Sequence, residues 1–173
     1  MPFLTFRSLP ALCLLIVLSA AAHGAEEPAM IEAVDDALVK QVSDIVVGSI
    51  EIGDCSGSPC SPATVIEKID GILPREMTRQ LIIRGAGSAF AEFCQLDWGA
   101  GSYLPLMERE QNSGCWSERQ IAAVSVTHGV AMSLYRNSLT AEVTECTPSL
   151  KSVVDQYLLA LRNHTKRLDC PRW

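Results

Sequence analysis

Residues 116–139, Trp116-Ser117-Glu118-Arg119-Gln120-Ile121-Ala122-Ala123-Val124-Ser125-Val126-Thr127-His128-Gly129-Val130-Ala131-Met132-Ser133-Leu134-Tyr135-Arg136-Asn137-Ser138-Leu139, decide the fold. Ser117 with Gln120 three residues on has the form of a capping box. The cap hydroxyl takes the N3 amide and the N3 side chain reaches back to the cap amide. Trp116 before the cap and Ile121 at N4 have the spacing of a hydrophobic staple. The helix therefore starts at Glu118. It carries Ile121, Val124, Val126, Val130, Met132, Leu134 and Tyr135, and so is apolar on most sides. Such a helix is buried, and it is expected to be the central one.

Outward from it the chain reads as further helices with short connections. Upstream, Ile31, Val34, Leu38, Val42, Ile45 and Ser49 recur at helical spacing and predict a helix over 28–49. Glu26 and Glu27 precede its first turn, where negative charge suits the helix dipole. Gly53 to Cys60 is a loop by composition. Ser61 and Pro62 then open a short helix whose apolar side is Val65, Ile66, Ile69 and Leu73. Pro74 breaks it. A longer helix is predicted over 75–97, interrupted by Gly85 and Gly87, each costing about 1 kcal/mol relative to Ala. Gly85, Ser88 and Ala89 form a small-residue patch that fits close helix contact. Trp98 to Gly101 reads as a connector and Ser102 as the cap of a helix ending near Asn112, with Pro105 in its first turn. The last helix opens at Thr147-Pro148, with Leu150, Val153, Val154, Tyr157, Leu161 and Leu168 on one stripe and Arg162, Lys166 and Arg167 in its final turns. No strand alternation and no internal repeat is visible. The fold class is all-α, a compact bundle of five or six helices around a buried central one, cross-linked by three disulfides.

The disulfides follow from address and parity. Arg7, the apolar run around residues 11–18 and the small residues Ala20, Ala21, Ala22 and Gly24 have the form of a cleaved secretory signal over 1–24. The apolar run is too short to span a membrane. The remaining 25–173 is read as one helical domain, long enough to bury roughly 68–70% of its unfolded surface. Six cysteines remain after cleavage: Cys55, Cys60, Cys94, Cys115, Cys146 and Cys170. An even count behind a signal implies disulfides in an oxidising compartment, periplasmic or extracellular. No C-x2-C pair or C-x-x-C-H is present, so neither zinc nor a c-type haem is expected. Cofactors and metals are both read as none. A straight helix between Cys146 and Cys170 holds them about 30 Å apart, against the 4.4–6.8 Å between Cα atoms that a disulfide needs (about the width of a strand pair). Each must pair elsewhere. Cys55 and Cys60 could close a local loop or each anchor a distant helix, and Cys94 could meet Cys115 if the helix between them is short and folds back; spacing does not choose among these.

Composition limits function. The chain is 48% hydrophobic and 20% charged, the profile of a globular protein. Acidic residues outnumber basic ones 20 to 14, which argues against nucleic acid as a partner. Residues 25–70 hold ten acidic and two basic side chains, while the rest is nearly balanced. That asymmetry is the pattern of a solvated face or of steering toward a basic partner. His128 lies on the apolar side with Ile121 and Tyr135, as a hydrogen-bonded core histidine would, and His164 near a helix C-terminus. Ser125 is three residues before His128, but no strained nucleophile turn accompanies it. There is no P-loop, H-E-x-x-H or dinucleotide fingerprint.

One stretch gathers aromatic side chains: Asp97, Trp98 and Tyr103, joined by Trp116 and flanked by Arg109 and Arg119. Aromatic anchors with arginine have the composition of an interface hot spot. These six residues are the candidate binding site, and no catalytic residue is assigned. The resulting expectation is an exported helical protein that binds another extracytoplasmic protein, of inhibitor, immunity or accessory type. It would not insert stably in a membrane after signal cleavage. Two alternatives are a small hydrolase using carboxylates among Glu92, Asp97, Glu108, Glu110 and Glu118, and a carrier with a cavity lined by Gly85, Ser88 and the central helix.

Overall fold

The computed structural model describes residues 34–142 and 144–163. These form six α-helices in chain order: α1 Asp36–Ser49, α2 Val65–Asp70, α3 Arg75–Phe93, α4 Leu104–Ser113, α5 Glu118–Glu142 and α6 Pro148–Asn163. A 3-10 turn, Ile50–Ile52, continues α1, and a π turn, Gly99–Tyr103, leads into α4. No strand occurs among the described residues, where the single bridge joins Asp54 to Pro59. The all-α bundle is as the periodicity requires.

α5 is the central helix. It packs along α3 over most of their length and also meets α1 and α4. Ala122, Ala123, Val124, Val126, Thr127, His128, Ala131, Met132 and Leu139 are buried on it. Its start at Glu118 is as predicted, and the Ser117 and Gln120 side chains and backbones exchange the expected bonds. The close α3–α5 contact has its reason in Gly85. A Cβ there would lie 2.6 Å from the Ala131 Cβ and 2.9 Å from the His128 carbonyl. Gly87 does the same for α6, because the Tyr157 ring rests where its Cβ would be. The small-residue patch is thus helix contact, and it is filled.

Two apolar clusters result. One joins Val39, Val42 and Val46 of α1 with Met77, Leu81 and Ile82 of α3 and the first half of α5. The other joins Phe90, Met132, Leu139, Val154, Tyr157 and Leu158 around Cys94. Fully burying each such aliphatic side chain stabilises by about 1.5–3 kcal/mol.

Several boundaries differ from expectation. α1 begins at Asp36, because the Asp35 carboxylate caps it by accepting from the Leu38 amide at 2.7 Å. Residues 28–33 of the predicted helix, like the signal, lie outside the described residues, as do His164 and the predicted end of α6. α2 is capped by Thr64 rather than Ser61, through a complete capping box with Glu67. α3 stops at Phe93, because Gln95 takes a left-handed conformation (φ 54°). Trp98 to Gly101 is no connector. Asp97 Oδ1 accepts from the Ala100 amide, and the chain is helical from Trp98 onward. Pro105 has no amide for the Gly101 carbonyl and its ring crowds it, and a widened π turn relieves both. Ser102 is therefore buried in the turn and does not cap it.

Cys55–Cys60 and Cys94–Cys146 are disulfides. Cys146 pairs away from Cys170, as helix length demands, and Cys94 reaches Cys146 rather than Cys115. Cys115 is disulfide-bonded as well.

Candidate functional site

The polar residues that α3, the π turn and α5 bring inside form one network. Arg84 on α3 donates from Nε (3.2 Å) and Nη2 (2.9 Å) to the Ser102 carbonyl. One turn along α3, Ser88 Oγ has three neighbours: the Arg84 carbonyl at 3.1 Å, Ser102 Oγ at 2.9 Å and His128 Nε2 at 2.9 Å. A hydroxyl has one proton and two lone pairs. Ser88 Oγ donates toward the Arg84 carbonyl and toward Ser102 Oγ. With its one proton committed there, it meets the imidazole as an acceptor, and His128 is a neutral Nε2–H imidazole.

The electrostatics agree. Ser88 is 0% and His128 1% exposed. Burial, and secondarily the charge of Arg84, pushes the imidazole down to about 4. The rings of Trp98 and Tyr103 lie over it, 6.1 and 5.2 Å from its centroid, and 6.2 Å from each other edge to face. Tyr103 is fixed by a 2.7 Å hydrogen bond between its hydroxyl and Ser125 Oγ. The spacing of Ser125 and His128 on one helix thus had a different meaning. Ser125 holds the tyrosine, and the histidine meets Ser88 of another helix. Sequence spacing carried no signal for that pair, which is 40 residues apart.

The six candidate binding residues fall into three groups. Asp97 and Trp98 lead into the π turn and Tyr103 ends it, with the Trp98 and Tyr103 rings in edge contact. Arg109 and Trp116 meet through Glu110, whose buried carboxylate accepts from Arg109 Nε and Trp116 Nε1, each at 2.7 Å. Arg119 is elsewhere, clamped on Glu67 (Nε–Oε1 2.5 Å, Nη2–Oε2 2.9 Å) and on the Ser61 and Pro62 carbonyls. Trp98 and Trp116 are half-buried, packed against the second and first apolar clusters respectively. Of the candidate carboxylates, Glu110 and Asp97 are engaged as described. Glu108 and Glu118 are exposed on α4 and α5, and Glu92 pairs with Arg136 at 3.6 Å. A cleft of about 230 Å³ opens between α4 and α6, with Arg84, Glu108, Arg109 and Arg162 among its walls. No group of three metal-binding side chains occurs among the described residues.

Sequence reasoning missed one feature. The short helix α2 is turned outward. Val65, Ile66 and Ile69, the expected apolar side of this helix, are 73, 71 and 78% exposed, while Glu67 points in to Arg119. Leu73 lies beyond the helix and is buried. Ile52, after α1, is 79% exposed. The same periodicity describes an apolar face whether it is covered by the chain's own core or left open, so periodicity alone had no means of telling the two apart.

The fold and site define a disulfide-linked helical domain with a closed polar core and an open apolar helix face. No protein-family model, curated protein or solved structure matches the chain. No helix among the described residues is long and apolar enough to cross a membrane.

Proposed function

We propose that the protein is an exported factor whose work is to bind another extracytoplasmic protein. The observation that carries the reading is the outward apolar face of α2. Monomeric proteins seldom leave large apolar side chains together in water, and where they do the surface is commonly an interaction site. This one is also held rigid: by the Thr64–Glu67 capping box, by the Arg119 clamp and, at the preceding loop, by the Cys55–Cys60 disulfide. A preorganised surface loses little entropy on binding. The disulfides fit an oxidising compartment, and the signal-like residues 1–24 supply the route to it.

The hydrolase alternative is weakened by the occupations of Glu110 and Asp97. The carrier alternative rests now on the cleft between α4 and α6, because the Gly85 patch is filled by Ala131.

The test is capture of a partner from envelope extract of the host on immobilised oxidised protein, compared with the Ile66→Ser/Ile69→Ser and Trp98→Ala/Tyr103→Ala variants. A stoichiometric partner retained by the wild type and lost with the α2 variant is the expected result. Loss only with the Trp98/Tyr103 variant would move the surface to the π turn. Absence of any partner in repeated extracts would overturn the reading and direct attention to small ligands in the cleft.

A further inference from the structure

The charges that stand with the apolar face bear on what it receives. The segments that hold α2 end in exposed carboxylates. Glu51 lies beside Ile52, and Asp54 is in the loop closed by the Cys60 amide on the Gly53 carbonyl. Asp70 is at the end of α2 itself, and Glu118 is next to the arginine that clamps it. The opposing exposed cations are Lys68 on α2 and Arg75 at the start of α3; Lys40 on α1 is already paired with Asp44. Glu67 is neutralised by Arg119. The segments that adjoin Val65, Ile66 and Ile69 therefore carry four exposed carboxylates against two exposed cations, in a chain whose residues 25–70 hold ten acidic and two basic side chains.

We infer that the α2 face docks a cationic amphipathic segment of another protein, its apolar side chains on Val65, Ile66 and Ile69 and its lysines or arginines toward Glu51, Asp54, Asp70 and Glu118. The inference rests on the protein-binding reading and narrows it to one partner chemistry. Complementary charge speeds encounter and rejects like-charged competitors. A second copy of this chain is disfavoured by the same argument, since two acidic surrounds would face each other. An anionic lipid surface is disfavoured likewise.

The probe is an acetylated 18-residue helical peptide of leucine and lysine with all leucines on one side, followed by fluorescence anisotropy on the oxidised full protein. Matched leucine/glutamine and leucine/glutamate peptides accompany it. The lysine peptide is expected to bind, more weakly as salt rises, and the glutamate peptide not to bind. Val65→Ser/Ile69→Ser leaves every charge in place and is expected to weaken binding about tenfold or more with an unchanged melting temperature. Equal binding of the glutamine or glutamate peptide overturns the charge selection. Equal binding of the lysine peptide to the variant overturns the role of the apolar face and leaves only general attraction. A lower melting temperature of the variant means that the face is covered in the folded protein, and the surface itself falls. A dimer in sedimentation, or retention on phosphatidylglycerol vesicles, abolished by the variant, reassigns the face to a second copy or to lipid. If the lysine peptide fails to bind while extract capture still depends on α2, the partner class is wrong and the protein-binding reading stands.

Discussion

Ser88 Oγ on α3 and His128 Nε2 on α5 lie 2.9 Å apart in the buried centre of the bundle. The pair joins the two longest described helices, and because Nε2 is the donor the bond itself survives protonation; what opposes protonation is burial. Protonation would place a second cation beside Arg84 with no water to solvate it. Folding and acidity are therefore linked at this site.

The unfolded chain takes up the His128 proton near its ordinary value of 6.5, while the folded protein holds it off until about 4. The contribution is complete above 6.5 and is lost as pH falls from there to 4, up to about 3 kcal/mol. Urea titrations at pH 7.5 and pH 4.5 measure it. His128→Gln, which keeps an N–H donor toward Ser88, is expected to flatten the dependence in that window.

The tautomer is separately testable. The 15N shifts of His128 at pH 7 are expected to show a protonated Nε2 and an unprotonated Nδ1. Ser88→Ala leaves that buried N–H without its acceptor, and is expected to destabilise by about 1–3 kcal/mol in chemical denaturation.

Two glycines within helices are expected to respond in opposite directions. At Gly87 a methyl group meets the Tyr157 ring. Gly87→Ala is expected to destabilise by about 1–3 kcal/mol through overpacking, despite the better helix propensity of alanine. At exposed Gly129 nothing lies within 4 Å of the added carbon. Gly129→Ala is expected to stabilise by about 0.5–1 kcal/mol. Thermal melts of the two variants distinguish packing from propensity.

The disulfides differ in the loops they close, 52 residues apart in sequence for Cys94–Cys146 and 5 for Cys55–Cys60. Chain-entropy arguments assign about 4 kcal/mol to the longer and about 2 kcal/mol to the shorter. The paired serine variants are expected to melt in that order. Full reduction is expected to lower the melting temperature while leaving far-UV helix signal at 25 °C, because both apolar clusters remain.

The Arg119–Glu67 pair is expected to hold α2 against the body of the protein. Its hydrogen bond to Arg119 holds the Glu67 carboxyl down at about 2, so its stabilisation is present above 4.5 and lost as pH falls toward 2. Being partly exposed, the pair contributes on the order of 1 kcal/mol. Arg119→Ala is expected to raise amide exchange in residues 64–70 more than in α3 or α5.

What the sequence alone determined was local. The Ser117 cap, the apolar circumference of α5 and the cysteine parity each depend on residues a few positions apart, where helix geometry fixes what meets what. The candidate site was legible only in parts: Trp98 and Tyr103 do stand together, but Arg109 with Trp116 and Arg119 belong to other corners. Tertiary structure alone decided that His128 meets Ser88, that Cys94 meets Cys146, and that α2 turns Glu67 inward and its isoleucines to water. Those relationships span 40 to 52 residues. They depend on the register in which helices pack, set here by a methyl group missing at Gly85 and by one arginine reaching a glutamate across the fold. No local pattern encodes that register, because a helical stripe has the same period whichever neighbour, or none, comes to cover it.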